Sequence, residues 1–138
     1  MKNTDTSGKI LFKDLFEQFD GGKFAFNGKT VNFSELKWNG HPVFEGVELK
    51  NLITAKDTDG RFSFHLVKIA PDKSIGNHIH ENQLETHEVI AGSGQCICDG
   101  KKIEYAPGNI SLIPAGVTHE VHAGDKGLYL FAKFIPAL

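Results

Sequence analysis

His78-Ile79-His80-Glu81-Asn82-Gln83-Leu84-Glu85 is the stretch on which the reading of the chain turns, and Pro114-Ala115-Gly116-Val117-Thr118-His119 answers it. Side chains alternate faces along a strand, so His78 and His80 point to the same side of an extended segment. Glu85 can return from the next strand after a short loop. His119, from a distant strand, would complete three nitrogens and one oxygen, a donor set that suits zinc, iron, nickel or manganese. Taken singly, each histidine is better explained as a surface or pocket residue than as a ligand, and a bare His-x-His pair is a weak signal. The weight lies in four donors arriving together with turn signals between them. The expectation is one divalent transition metal (Fe, Mn, Ni or Zn) held by His78, His80, Glu85 and His119 inside a small β-barrel.

The segments around that stretch alternate between short strands and turn chemistry. Lys23–Phe26 and Lys29–Phe33 flank Asn27-Gly28, a pair that accepts the positive φ of a tight hairpin turn. Asn39-Gly40 is a second turn signal, between Glu35–Trp38 and Pro42–Phe44. Val47–Thr54 and Arg61–Ile69 form another candidate pair, joined by the polar Lys56–Gly60. Asp99-Gly100 connects Gln95–Cys98 to Lys101–Tyr105, and Gly92-Ser93-Gly94 reads as a sharp bend. Ile110–Ile113, Val117–Val121 and Leu128–Ile135 complete the series. Such spacing predicts an all-β sandwich or barrel, and a jelly roll fits it. Before it, Leu11, Phe12, Leu15, Phe16 and Phe19 recur at helical spacing from Lys9 to Phe19, with Ser7 as a cap and Asp20-Gly21-Gly22 as the stop. This apolar stripe is expected to pack on the barrel or on a second subunit. The organisation predicted is one domain over residues 1–138, with an N-terminal helical segment (1–22) and a β-barrel (23–138).

Two motifs then carry a family resemblance. His78-x-His80, four residues, Glu85, six residues and Gly92 resemble the first cupin motif. Gly108, five residues, Pro114-x-Gly116, two residues and His119 resemble the second. The 15 residues between Gly92 and Gly108 are similar to the short spacing of small bacterial cupins. The resemblance covers roughly residues 70 to 122. It implies a double-stranded β-helix, or jelly-roll, barrel with metal at those four side chains. Two positions depart from the pattern: Asp72 stands where the first motif usually has Gly, and Ala123 where the second usually has Asn. Neither is a ligand. The flanks Phe44–Leu49 and His87–Ile90 are similar to the sensing domains of AraC-like regulators. Those regulators carry a helix-turn-helix part; none is expected here, and direct DNA binding is not expected either.

Composition sets the outer bounds. The 138 residues suit one domain with a substantial core, and 40% hydrophobic with 23% charged residues is ordinary for a globular protein. A net charge of −2 gives no general pull toward nucleic acid or anionic membranes. No apolar run is long enough to span a bilayer, and Met1-Lys2-Asn3-Thr4-Asp5 lacks a signal peptide's apolar core, so a cytoplasmic address is expected. Cys96 and Cys98 would place their Cβ atoms about 6.5 Å apart on one strand face, beyond the roughly 4 Å a disulfide needs; they read as small buried apolar residues.

Alternation from Glu85 sends His87 and Val89 inward and Thr86, Glu88 and Ile90 outward. His87 is therefore a candidate pocket residue one step deeper than Glu85, and Gln83 another from the loop. His122 shares a face with Glu120, off the site, and His41 and His65 are assigned no role. Phe62 or Phe64, Val89, Ile113 and Phe131 are candidates for an apolar barrel mouth. Four protein ligands on a six-coordinate ion leave open positions for a substrate oxygen or dioxygen. Two functions follow: a metal-dependent enzyme of oxygenase, isomerase or lyase type acting on a small organic molecule, or a non-catalytic small-molecule binding or sensing protein. By resemblance, a homodimer is expected.

Overall fold

The structure is a computed structural model that describes residues 12–138. Helix α1 runs over Phe12–Asp20, so Ser7 and the expected first turn lie outside the described residues. The Asn27-Gly28 hairpin forms as its composition dictates: β1 (Lys23–Phe26) pairs with β2 (Lys29–Asn32), and both turn residues have positive φ. These two strands form a sheet of their own. After a single 3-10 turn at Phe33–Glu35 come β3 (Asn39–Gly40), β4 (Val47–Ile53), a one-turn helix α2 (Ala55–Thr58) and β5 (Ser63–Ile69). The remaining strands are β6 (Ser74–His78), β7 (Leu84–Cys98), β8 (Lys101–Tyr105), β9 (Ile110–Ile113) and β10 (His119–Ile135).

Two of these strands are far longer than the sequence pattern predicts, and they make the barrel. β7 continues straight through Gly92-Ser93-Gly94, and β10 joins Val117–Val121 to Leu128–Ile135, beginning at His119. Their pairing slips twice, between Tyr129↔Ala91 and Leu130↔Val89 and, at the wider break, between Ala123↔Gly94 and Leu128↔Gly92. On one side of the wider break, β10 is flanked by β6 and the second half of β7, which in turn pairs with β8. On the other side, β10 is flanked by β5 and the first half of β7, with β4 and β9 continuing outward. Both strands thus change sheets at a corner, the device by which sandwiches close. Glycine permits the corner. A Cβ on Gly92, whose φ is +78°, would lie 2.1 Å from the Gly127 carbonyl oxygen, and one on Gly94 2.2 Å from that of His122.

Two apolar layers result. Between the sheets, Val47, Val67, Ile69, Val89, Cys96, Val121, Leu128 and Leu130 form the inner core. Outside, Phe16 of α1 packs with Phe33, Leu52, Leu66 and Ile90. Phe16 meets Tyr129 edge-on at 5.0 Å and Trp38 at 6.0 Å. Lys50, almost fully buried, pairs with Asp20 at the end of α1 and donates to the Phe33 carbonyl at 2.8 Å, tying helix to sheet. The helix therefore packs on the barrel through Phe16, one of the two alternatives its stripe allows, while Leu15 and Phe19 stay exposed.

Asn39-Gly40 does not make the expected turn: it pairs with Leu49 and Glu48 as an edge strand, and residues 42–44 lie in a loop. The Lys56–Gly60 joint holds α2, started by Thr54 and Asp57 in a capping box. No helix among the described residues is long and apolar enough to cross a membrane.

Candidate metal centre

β6 and β10 run antiparallel, and their register sets His78 directly opposite His119, with ring centroids 4.1 Å apart. His80 lies two residues beyond the end of β6, so the same-strand argument covers only its partner; the His80 carbonyl is held by the Gly116 N–H at 2.9 Å, which ties it to the Pro114–Gly116 turn. Glu85 comes from the opposite sheet, on the first half of β7, and reaches across the barrel. One donor atom from each of His78, His80, Glu85 and His119 lies within 4.8 Å of the others. This group could hold a metal ion.

The donor chemistry fits. His78 Nδ1 is 2.8 Å from the Gly76 carbonyl and His119 Nδ1 is 3.0 Å from that of Val117, so each Nδ1–H donates to a backbone oxygen. For His78 that leaves Nε2 with the lone pair a metal needs; His119 Nε2 carries a hydrogen toward Glu85 that a bound metal would displace. Burial pushes His78 and His80 down, toward the neutral form that can ligate. Burial would raise the Glu85 carboxyl, but the neighbouring His87 and His119 outweigh it and hold it well below the usual carboxylate range. His119 behaves oppositely: burial lowers it, while its 3.1 Å hydrogen bond to Glu85 raises it above an ordinary histidine. A buried carboxylate thus borrows its positive partner from His119, the place a cation would take.

A narrow cavity of about 100 Å³ opens onto His78, His80 and Glu85. Its wall is mostly apolar, from Leu49, Val67, Ile75, Leu130, Phe134 and Leu138. His87 lies on it too, buried, as the alternation from Glu85 requires. Gln83 turns elsewhere: its amide donates to the Ala137 carbonyl at 3.4 Å. His122 points away from the donors, bridging Ser74 at 2.7 Å and Glu120 at 3.2 Å.

Two expectations about the wall need correction. Phe64 and Phe131 face the outer layer and line a separate cleft of about 410 Å³ beneath α1. The reason is parity, since Ser63, His65 and Val67 take the inward positions of β5. His41, assigned nothing from sequence, does line the cavity; its Nδ1 accepts from the Val43 and Phe44 N–H groups. His65 is buried between Asn51 and Ser63, each at 2.8 Å, and burial pushes it down to about 4. Cys96 and Cys98 are free thiols, and burial raises Cys96 to about 11.

The departure at Asp72 is one of residue and not of conformation: Asp72 has a φ of +60°, the left-handed backbone for which the motif's usual glycine is suited.

A β-sandwich with this donor set across its interior defines the class, and comparison with known proteins agrees. The Cupin domain family matches residues 65–132. The L-ectoine synthase of Bordetella petrii is 35% identical over 92 residues, covering 64% of this chain and 67% of that one. The chain belongs to the cupin family. It is also 25% identical over 130 residues to the quercetin 2,3-dioxygenase of Bacillus subtilis, covering 86% of this chain but 39% of the dioxygenase. The crystal structure of a predicted oxalate decarboxylase from Thermotoga maritima matches it with a TM-score of 0.68 at 24% identity, over 76% of this chain and 96% of that one. At that identity the last likeness speaks to the fold.

Proposed function

We propose that the protein is a metal-dependent cupin enzyme of oxygenase, isomerase or lyase type acting on a small organic molecule. One divalent transition metal (Fe, Mn, Ni or Zn) would be held by His78, His80, Glu85 and His119. The observation that carries the reading is the convergence of those four donors, three of which (His78, His80 and Glu85) line an apolar cavity of about 100 Å³. A bound ion would supply a Lewis acid with positions left for a substrate oxygen or dioxygen. The chain's own part is to orient the donors through Gly76 and Val117, and to keep water from the reacting group with the apolar wall. The names of the relatives, a dioxygenase and a synthase, favour turnover.

The test is to load the protein separately with Fe²⁺, Mn²⁺, Ni²⁺ and Zn²⁺ and offer catechols, thiols and diketones. Oxygen uptake or product formation that requires one ion and disappears in His119→Ala supports the enzyme. Stoichiometric binding with no product under every metal would favour the non-catalytic binding alternative.

The same reading takes the protein as a cytoplasmic homodimer. Support for pairing is the exposed apolar surface of β9, where Ile110 and Leu112 share one face. Light scattering would read the mass; a monomer at all concentrations would overturn the dimer.

A further inference from the structure

Glu85 has two carboxylate oxygens, and the four-donor group uses only one of them. Oε1 faces His119 Nε2 at 3.1 Å and His80 Nε2 at 3.8 Å. Oε2 is 2.8 Å from His87 Nε2. Beyond His87 the contacts continue: its Nδ1 is 2.7 Å from the Tyr105 hydroxyl, which is 2.8 Å from the Ser111 hydroxyl. All four side chains are buried, with Glu85 5%, His87 3%, Tyr105 1% and Ser111 6% exposed. The path crosses the barrel twice, from β7 to β8 and back to β9. Nothing in the ligand set requires it, and burying three polar side chains here would be costly without mutual hydrogen bonds.

The chemistry gives the chain of hydrogen bonds a direction. An ionised carboxylate only accepts, so His87 Nε2 carries the hydrogen that Oε2 receives. Burial pushes the Tyr105 phenol up, which keeps its O–H in place to donate to Nδ1 while Ser111 donates to the phenol oxygen. Tyr105 and Ser111 thereby hold His87 in one tautomer and one ring orientation, and His87 does the same for the carboxylate.

Resting on the reading of the four donors as a metal centre, we propose that His87, braced by Tyr105 and Ser111, is a positioning residue that reserves Glu85 Oε2 and so limits Glu85 to one-oxygen ligation through Oε1. Its effect would be to keep a coordination position free that a two-oxygen carboxylate would occupy. Without the donor at His87, Glu85 can turn both oxygens toward the ion.

The experiment measures Co²⁺ affinity and the visible spectrum of the cobalt-loaded protein for the wild type and for His87→Leu, His87→Gln, Tyr105→Phe and His119→Ala. Gln places an amide N–H near the position of His Nε2, so His87→Gln should keep the wild-type spectrum and an affinity within about threefold. His87→Leu should lose roughly ten- to a hundredfold in affinity, the usual effect of removing a ligand's hydrogen-bond partner, and shift the cobalt bands. Tyr105→Phe, which removes one hydroxyl, should do the same to a smaller degree and serves where His87→Leu fails to fold. A wild-type protein that binds Co²⁺ and loses it in His119→Ala, beside His87→Leu or Tyr105→Phe with unchanged affinity and spectrum, would overturn the positioning role alone. A wild-type protein that binds no Co²⁺ would overturn the metal centre itself.

Discussion

The two faces of the sheet built from β5, the first half of β7 and the second half of β10 are made from the same strands and do opposite things. Phe64, Leu66, Ile90, Tyr129 and Phe131 look outward and meet α1 through Phe16. Ser63, His65, Glu85 and His87 alternate with them, look inward, and are buried polar groups. The outer face is held by area removed from water, a term that is non-directional and tolerant. The inner face depends on each polar atom meeting its partner, at 2.8 Å for His65 with Asn51 and Ser63 and for His87 with Glu85. Substitutions on the two faces should therefore fail differently: outer ones in stability, inner ones in metal binding and pH response.

The largest expected separation comes from His119→Ala. If roughly 10–16 kcal/mol of metal-binding energy is shared among four ligands, each carries about 2.5–4 kcal/mol, on the order of a hundredfold or more in Kd. Metal titration should show that loss, and a change under tenfold would mean that His119 is not a ligand. Next is the pH response of His65. Burial lowers it from 6.5 to about 4, so between those values the unfolded chain takes up a proton that the folded one refuses. Stability is then complete above about pH 6.5 and falls as the pH drops toward 4, by up to about 3 kcal/mol. Urea midpoints of the chelated protein should show the gap between wild type and His65→Gln narrowing by about 2 kcal/mol from pH 7.5 to pH 5; a gap independent of pH contradicts a neutral His65. On the outer face, Ile90→Val should cost about 1 kcal/mol of stability and leave metal affinity alone. The smallest effect belongs to His122→Ala: with Ser74 and Glu120 as its neighbours, its loss should leave metal occupancy within about twofold of wild type, as for a surface substitution. Equal losses in His122→Ala and His119→Ala would reverse the facing of β10.

How much of this could be read beforehand follows from the same two faces. The group was legible because His78-x-His80, Glu85 and His119 are chemically conspicuous, although strand alternation accounts for His78 and not for His80, which lies beyond β6. The hairpin turns at Asn27-Gly28 and Asp99-Gly100 were legible because positive φ at both positions selects such residues. The cavity wall was not. Ser63-Phe64-His65-Leu66-Val67 is buried on both faces, so a period of two does not say which face is interior. The long strands were hidden because glycines that normally signal a turn instead let β7 and β10 cross closely at the corner. His41 enters the cavity from a loop whose path no periodicity describes, and His87 was placed correctly but its bonds to Tyr105 depend on the distant pairing of β7 with β8.

X-ray absorption of the protein loaded with one equivalent of zinc or iron addresses the centre most directly. The predicted first shell holds three imidazole nitrogens and one carboxylate oxygen, with zinc–ligand distances of about 2.0–2.2 Å. A shell with no imidazole, or with a sulfur scatterer at about 2.3 Å from a cysteine, would contradict it.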